Sequence, residues 1–134
     1  MKPIFLRFWG LHSYIDPQEI DFTGLLGAGV FGIFGPTGSG KSTILDAMTL
    51  ALYGSVDRAA RDTQGIINQE CDQLFVAYTF ELRDASAARR YRVERTFARG
   101  KNSESVATVQ ARLVELDRGR PGREDIVGVL ADKA

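Results

Sequence analysis

One segment of this 134-residue chain has the residue types and the spacing to bind phosphate groups. Residues 35–42 read GPTGSGKS and match the pattern G-x-x-x-x-G-K-[ST]. Its glycines let successive backbone amides point at phosphate oxygens, and a helix that starts there adds the partial positive charge of its N-terminus. The predicted nucleotide-binding residues are Gly35, Pro36, Thr37, Gly38, Ser39, Gly40, Lys41, Ser42 and Thr43.

Three residues at the end of this loop have expected roles with a bound nucleotide such as ATP. Lys41 is expected to reach the β- and γ-phosphates and to act as the catalytic residue. The hydroxyl of Ser42 is expected to ligate Mg²⁺, and Thr43 is expected to support the α-phosphate. The site therefore predicts ATP and Mg²⁺ as cofactors.

Two other motifs resemble nucleotide-binding patterns but lack the required context. Residues 27–32, GAGVFG, match G-x-G-x-x-G, yet they precede a predicted strand where a dinucleotide fingerprint opens a helix. Residues 62–65, DTQG, resemble a GTPase motif but follow Lys41 too closely for the intervening helix, loop and strand. We interpret both as loops.

The second half of an ATPase site has no convincing counterpart. Such a site needs an apolar strand that ends in Asp, and the nearest candidate is residues 113–117, LVELD. That run contains an internal Glu and is followed by Arg118, so we interpret it as a strand end. No alternating series of strands and helices follows the loop either, which predicts an incomplete domain.

The elements around the loop follow from hydrophobic periodicity. Strands are predicted at residues 4–9 and 19–22, and residues 30–34 are predicted to form a strand buried on both faces. A helix is predicted after the loop, with Gly54 as its C-cap. Its apolar face comprises Ile44, Ala47, Met48, Ala51 and Leu52.

The rest of the chain reads as antiparallel β-structure. Alternation predicts strands over 74–83 and 90–97, a third strand is predicted over 106–116, and 118–123 is predicted as a flexible turn. We therefore expect an α/β fold with one main helix, as a single lobe over 1–134. Its parts are strands, loop and helix at 1–54, a loop at 55–73 and a basic β lobe at 74–134.

The formal net charge of zero conceals a segregation of charge along the chain. Residues 1–82 sum to −4, residues 83–123 to +6 and residues 124–134 to −2. Strand alternation puts Arg90 and Arg92 on one face, where they are candidates for sequence-independent contacts to DNA phosphates. A solvated face whose arginines pair with Glu94 or Glu115 is the competing interpretation.

Composition excludes several classes of protein. The chain has no apolar run long enough to span a membrane, and Arg7 interrupts the apolar start that a signal peptide would need. The single cysteine, Cys71, cannot build an internal disulfide framework, which fits a reducing cytoplasm.

Residues 34–53, FGPTGSGKSTILDAMTLALY, resemble the start of an SbcC-type ATPase. These proteins are the SMC-like, ABC-class heads of a bacterial nuclease that repairs DNA double-strand breaks. Residues 11–14, LHSY, lie where the family has a short motif near the nucleotide, so the resemblance implies nucleotide contacts from His12 and Ser13.

The resemblance also implies partners and a wider architecture. The head is assembled from both ends of a chain joined by a coiled coil, and this chain corresponds to its N-terminal half. Implied partners are the C-terminal half, a second head in a homodimer, an SbcD-type nuclease and double-stranded DNA, with no membrane. Such a protein would be cytoplasmic and associated with the nucleoid, and this half alone is not expected to hydrolyse ATP.

Other interpretations are a small P-loop kinase, another ABC-type or recombination ATPase, and a DNA-binding module with a vestigial loop.

Overall fold

The computed structural model describes residues 1–56, 65–101, 105–116, 120 and 124–129. These residues form an antiparallel sheet of six strands with an α-helix packed on one face. The strands are β1 (Lys2–Trp9), β2 (Gln18–Asp21), β3 (Gln73–Arg83), β4 (Ala88–Arg99), β5 (Val106–Leu116) and β6 (Glu124–Val129). A short 3₁₀ helix (Thr23–Ala28) and α1 (Lys41–Tyr53) lie between β2 and β3 in sequence. The expected lobe, with antiparallel strands and one main helix, is confirmed.

The strand order across the sheet is β2-β1-β3-β4-β5-β6, and every neighbouring pair is antiparallel. Strands β3 to β6 follow one another in sequence and in space. β1 instead pairs with β3 across the excursion that contains α1, with Trp9 opposite Phe75. The sheet therefore positions both ends of the segment that carries the predicted nucleotide loop.

The hydrophobic core lies between the sheet and α1. Alternate residues of the central strands face the helix, because successive side chains of a strand point to opposite faces. The principal buried members are Leu6 and Phe8 from β1, Leu74, Val76 and Tyr78 from β3, Val93 and Phe97 from β4, and Ala47, Leu50 and Ala51 from α1.

Helix α1 ends where the sequence predicts. Gly54 has φ 75° and ψ 9°, and its N–H donates to the carbonyl of Leu50 at 2.9 Å. The buried guanidinium of Arg95 on β4 donates from Nε to the carbonyl of Ala51 at 2.8 Å and from Nη2 to that of Leu52 at 3.3 Å. A cation thus satisfies the last carbonyls of α1, where the helix dipole favours positive charge.

The predicted buried strand at residues 30–34 is wrong. This segment is assigned to no strand, and the side chains of Val30 and Phe34 are 85% and 92% exposed. An apolar run becomes a strand only when neighbouring strands satisfy its backbone, and no described strand pairs with it. Val30, Ile33 and Phe34 are instead exposed to solvent, while Phe31 packs partly against the core beside Phe22.

The C-terminal part of the chain contains a strand that was not predicted individually. Residues 124–129, within the predicted β lobe, form β6, which pairs antiparallel with β5. Of the predicted turn at 118–123 only residue 120 is described, and residues 57–64 of the predicted loop lie outside the described residues. No helix in the described part of the chain is long and apolar enough to cross a membrane.

Candidate nucleotide-binding site

The predicted phosphate-binding loop connects the exposed segment at 30–34 to the first residue of α1. Gly38 and Gly40 have φ of 82° and 89°, the left-handed region that glycine enters without steric cost. The amide of Ser39 donates to the carbonyl of Pro36 at 3.1 Å, and the amide of Thr43 donates to that of Gly40 at 3.1 Å. The loop therefore makes a tight turn that leads directly into the N-terminus of α1.

The side chain of Lys41 folds back and bonds to backbone carbonyls of its own loop. Its Nζ donates to the carbonyl oxygen of Pro36 at 2.8 Å and also to that of Gly35. A lysine ammonium on a flexible stem can exchange such oxygens for the more strongly charged oxygens of a phosphate. Its position fits the role that the motif predicts.

The loop and α1 form one wall of a cleft of about 670 Å³. The lining residues are His12, Ser13, Thr37, Gly38, Gly40, Lys41, Ser42, Thr43 and Asp46. The predicted contact residues of the upstream motif at 11–14, His12 and Ser13, thus lie at the same cleft as the loop. Gly35, Pro36 and Ser39 do not line the cleft and instead take part in hydrogen bonds within the loop.

The side chain of Ser42 is exposed at this cleft, while Thr43 is only 8% exposed. Mg²⁺ takes oxygen ligands, keeps several waters and is usually completed by substrate phosphates. The exposed hydroxyl of Ser42 at the end of the phosphate-binding loop fits that chemistry, so the residues present suit a Mg²⁺ bound together with a nucleotide.

One further residue of the cleft, Asp46, was not predicted from the sequence. It lies one helical turn after Ser42, lines the same cleft, and its Oδ2 is 3.3 Å from Nε2 of His12. The helical spacing from Ser42 was the available signal, because residues four apart share a helix face. The partner could not have been inferred, since His12 is brought there by a turn between β1 and β2.

The turn at residues 11–14 packs onto the loop. The amide of Tyr14 donates to the carbonyl of Leu11 at 3.0 Å, and His12 has a φ of 51°. The ring of Tyr14 meets Phe8 edge-on at 5.4 Å, and a Cβ added to Gly40 would lie 2.0 Å from the Tyr14 hydroxyl. The turn thus contacts the last glycine of the loop as well as α1.

A second segment fixes this turn in place. The amide of His12 donates to the carbonyl of Ile66 at 2.9 Å, and the amide of Asn68 donates to that of Gly10 at 2.8 Å. The side-chain Nδ2 of Asn68 also donates to the carbonyl of His12 at 2.6 Å. The conformation around His12 is therefore set by a segment far away in sequence.

The candidate DNA-contacting arginines lie on the sheet face opposite α1, and both are ion-paired. Arg90 Nε is 3.3 Å from Oε2 of the buried Glu81. Arg92 contacts Glu94 at 2.6 Å and Glu124 at 2.6 Å. The face is thus a mixed network of arginine and glutamate rather than a uniformly cationic surface.

Glu94 is the centre of this network. Its burial alone would raise the pKa of its carboxyl, but hydrogen bonds and charge from Arg112 and Arg92 outweigh that effect and lower the pKa. Burial would lower the pKa of Arg92, but hydrogen bonds and charge from Glu124 and Glu94 outweigh that effect and raise it. Pairing thus favours the charged forms of both Glu94 and Arg92.

The acidic-strand candidate at residues 113–117 falls at the end of β5. Glu115 lies in the ladder opposite Tyr91 of β4 and Asp125 of β6. β5 ends at Leu116, and Asp117 lies outside the described residues. This placement agrees with the interpretation of the run as a strand end.

Comparison with known proteins gives a consistent result. A family model described as an AAA domain matches residues 6–125. A Bacillus subtilis protein, named as the SbcC component of the nuclease SbcCD, is 54% identical over 134 residues, which cover 100% of this chain and 11% of that protein. Its namesake from Clostridium acetobutylicum is 46% identical over 116 residues, 87% of this chain and 10% of that protein.

A protein from Aquifex aeolicus named probable DNA double-strand break repair Rad50 ATPase is 43% identical over 99 residues, 72% of this chain and 9% of that protein. The chain thus spans about a tenth of the length of the curated relatives that it matches.

Proposed function

The chain belongs to the AAA-domain family of SbcC and Rad50 ATPases, and from this premise we propose that it is the ATP-binding N-terminal half of a DNA-repair ATPase head. The observation that supports this most directly is the cleft that brings His12, Ser13 and the phosphate-binding loop together at the start of α1.

In the proposed complex, the loop amides and the N-terminus of α1 bind the phosphates of ATP. Lys41 leaves the carbonyls of Gly35 and Pro36 and neutralises charge on the β- and γ-phosphates. Ser42 would hold Mg²⁺, which would neutralise phosphate charge, and Thr43 supports the α-phosphate. His12 and Ser13 contact the nucleotide from the opposite wall of the cleft.

Hydrolysis requires a second half-site in this proposal. The exposed apolar segment at 30–34 supports it, because such a run directly before a phosphate-binding loop needs strand neighbours that the described residues do not provide. We propose that the C-terminal half of the head supplies these strands together with the acidic residues. Dimerisation of two heads then completes the catalytic site.

The relatives' names imply a nuclease partner, and we propose that the complete protein acts with an SbcD-type nuclease on double-stranded DNA at the nucleoid. Phosphate binding by Arg90 and Arg92 remains part of this proposal. Their carboxylate partners must be displaced or shared when DNA binds, which would make these contacts weaker than those of unpaired arginines.

The test is nucleotide binding and hydrolysis by the full-length protein and by separate halves of the head. Fluorescent ATP should bind with Mg²⁺, Lys41→Ala should lose that binding, and Ser42→Ala should lose its Mg²⁺ dependence. The N-terminal half should hydrolyse ATP only when the C-terminal half is added.

Robust hydrolysis by the N-terminal half alone, abolished by Lys41→Ala, would favour a self-contained enzyme such as a small kinase. DNA affinity that depends on Arg90 and Arg92 but neither on nucleotide nor on Lys41 would favour a binding module with a vestigial loop.

A further inference from the structure

The last residue of β4, Arg99, holds a segment that lies against the nucleotide site. Its Nε donates to the carbonyl of Cys71 at 3.1 Å. Its Nη2 donates to the carbonyls of Asn68 at 2.7 Å and Ile67 at 3.2 Å. One half-buried guanidinium therefore joins three carbonyls of residues 67–71, and the planar fork of arginine is suited to such multiple bonds.

The segment at 67–71 in turn holds the turn at residues 11–14. Asn68 bonds to this turn through its side chain, and the neighbouring Ile66 accepts the amide of His12. Leu11 forms an isolated β-bridge with Ile67. Movement of residues 67–71 would therefore be transmitted to the backbone of His12.

The turn at residues 11–14 connects this series of contacts to the cleft. His12 pairs with Asp46 on α1, and Tyr14 contacts Gly40 at the end of the phosphate-binding loop. Each step from β4 to the loop is thus a hydrogen bond or a direct packing contact. The three carbonyls that Arg99 binds belong to residues outside the lining of the cleft, so its influence on the cleft passes through this series.

We propose that Arg99 is a positioning residue for the nucleotide site, acting through residues 67–71 and the turn at 11–14. The proposal rests on the proposed function of the cleft as an ATP site. β4 then has two separate connections to the region of the cleft. Arg95 binds the C-terminal end of α1, and Arg99 positions the wall of the cleft opposite the N-terminal end of α1.

The experiment compares Arg99→Gln and Arg99→Lys with Arg112→Gln in the full-length protein. Arg112 is a matched control, because it is a half-buried strand arginine that bonds to Glu94 on the other face of the sheet. The measurements are the Kd of a fluorescent ATP analogue, the KM and kcat of hydrolysis, and hydrogen exchange of backbone amides.

Arg99→Gln should raise the Kd for ATP about tenfold, because it removes bonds that together amount to the free energy of one charge-assisted hydrogen bond or more. KM should rise with it while kcat changes little, as expected when binding in the ground and transition states is weakened equally. The amides of His12 and Asn68 should exchange faster. Arg99→Lys should recover part of the affinity. Arg112→Gln should have the wild-type Kd for ATP and wild-type exchange at the amides of His12 and Asn68.

Wild-type affinity and wild-type exchange at His12 in a folded Arg99→Gln variant would overturn the proposal. So would faster exchange spread evenly over the whole sheet, since that marks a general structural role. If Arg99→Gln does not fold, Arg99→Lys decides, because unchanged affinity and unchanged exchange there would equally overturn it. Lys41-dependent ATP binding by the wild type would still support the proposed function in each of these cases, and its absence would defeat both.

Discussion

Two glycines of the phosphate-binding loop share a left-handed conformation but differ in their surroundings. Gly38 has φ 82° and a Cβ added there would meet nothing within 4 Å. Gly40 has φ 89°, and its added Cβ would lie 2.0 Å from the hydroxyl of Tyr14. Gly38 is thus needed for its backbone conformation alone, and Gly40 also for the close approach of a neighbouring ring.

This difference predicts unequal effects of alanine at the two positions. Gly38→Ala should weaken ATP binding about tenfold, the equivalent of the 1–2 kcal/mol strain of a left-handed alanine. Gly40→Ala should weaken it about tenfold further, because either the loop or Tyr14 must move. The measurement is the Kd of a fluorescent ATP analogue.

Adding Tyr14→Phe to Gly40→Ala should recover part of the lost affinity, since the atom nearest to the new Cβ is removed. Equal losses at the two glycines, with no recovery in the double variant, would show that this contact does not constrain the loop.

Arg95 carries a second residue-level prediction. Arg95→Met removes the donors to the carbonyls of Ala51 and Leu52, and leaves buried helix-end oxygens without those bonds. The free energy of local opening at the C-terminus of α1 should fall by about 2 kcal/mol.

Hydrogen exchange of the Gly54 amide, which bonds to Leu50, reports on this opening. Arg89→Met is the control, because Arg89 is an exposed arginine on the same strand. An Arg95→Met variant with the same Gly54 exchange as this control would mean that the helix end does not depend on the guanidinium.

At the residue scale, the motif was sufficient to predict Lys41 and Ser42 at a cleft, since the spacing is local to one loop and one helix. Asp46, Tyr14 and Asn68 were not predicted. Their roles arise from contacts between segments far apart in sequence, which residue type and periodicity do not encode.

Among the elements, the hairpin between β3 and β4 has a turn organised by one carboxylate. Oδ1 of Asp84 accepts bonds from the hydroxyl of Ser86 at 2.7 Å, the amide of Ala87 at 2.9 Å and the amide of Ser86 at 2.8 Å. These bonds lower the pKa of Asp84 from its ordinary 3.8 to about 2. The ionised carboxylate is thus favoured in the folded hairpin.

The lowered pKa predicts how the stability of this hairpin depends on pH. A group with a lower pKa when folded stabilises the fold above its unfolded pKa near 4, and the stabilisation is lost as pH falls towards 2. Hydrogen exchange of the Ala87 amide, corrected for intrinsic rates, should therefore show weaker protection at pH 2.5 than at pH 5. In Asp84→Asn this change in protection should be absent, and a retained change would assign it to another group.

Helix α1 and strands β3 to β5 could be predicted because their patterns are local: helical spacing with a terminal glycine, and alternation between short links. The segment at 30–34 could not, because a buried strand is a property of its neighbours as much as of its own residues. β6 was missed because its six residues show no clear alternation, and its pairing with β5 defines it.

At the scale of the whole molecule, several large apolar side chains are exposed between Val30 and Tyr53, the part of the chain that contains the phosphate-binding loop and α1. Val30 is 85%, Phe34 92%, Leu45 59% and Tyr53 75% exposed. Contiguous exposed apolar residues usually mark an interaction surface, and Val30 and Phe34 belong to one apolar run at residues 30–34. Within the proposed function, the C-terminal half of the head covers this surface.

This leads to a prediction for the two halves in solution. Residues 1–134 alone should bind a fluorescent hydrophobic dye and self-associate at micromolar concentration, and addition of the C-terminal half should reduce both. Val30→Thr should reduce dye binding, whereas Val109→Thr should not, although Val109 is also 60% exposed, because it lies away from this segment on β5. Dye binding that persists in the assembled head would argue against this docking surface.

The segregation of charge along the sequence does not carry over directly to the surface of the folded sheet. Among the described residues of 83–123, Arg90 and Arg92 do not present open cationic charge, since they pair with Glu81, Glu94 and Glu124. Summing charge along this segment could not reveal the pairs with Glu81 and Glu124, because these two partners lie outside it and arrive through sheet pairing.

The pairing of β1 with β3 has a consequence for the order of folding. β3, β4 and β5 are joined by short links and can pair soon after synthesis, whereas the contact between Trp9 and Phe75 must close a long loop. We expect the β3–β5 meander to gain protection first in pulse-labelled refolding, with β1 and α1 later; simultaneous protection would contradict this. The phosphate-binding loop lies inside the late-closing excursion, so under the proposed function a newly made chain would acquire nucleotide affinity only at the end of folding.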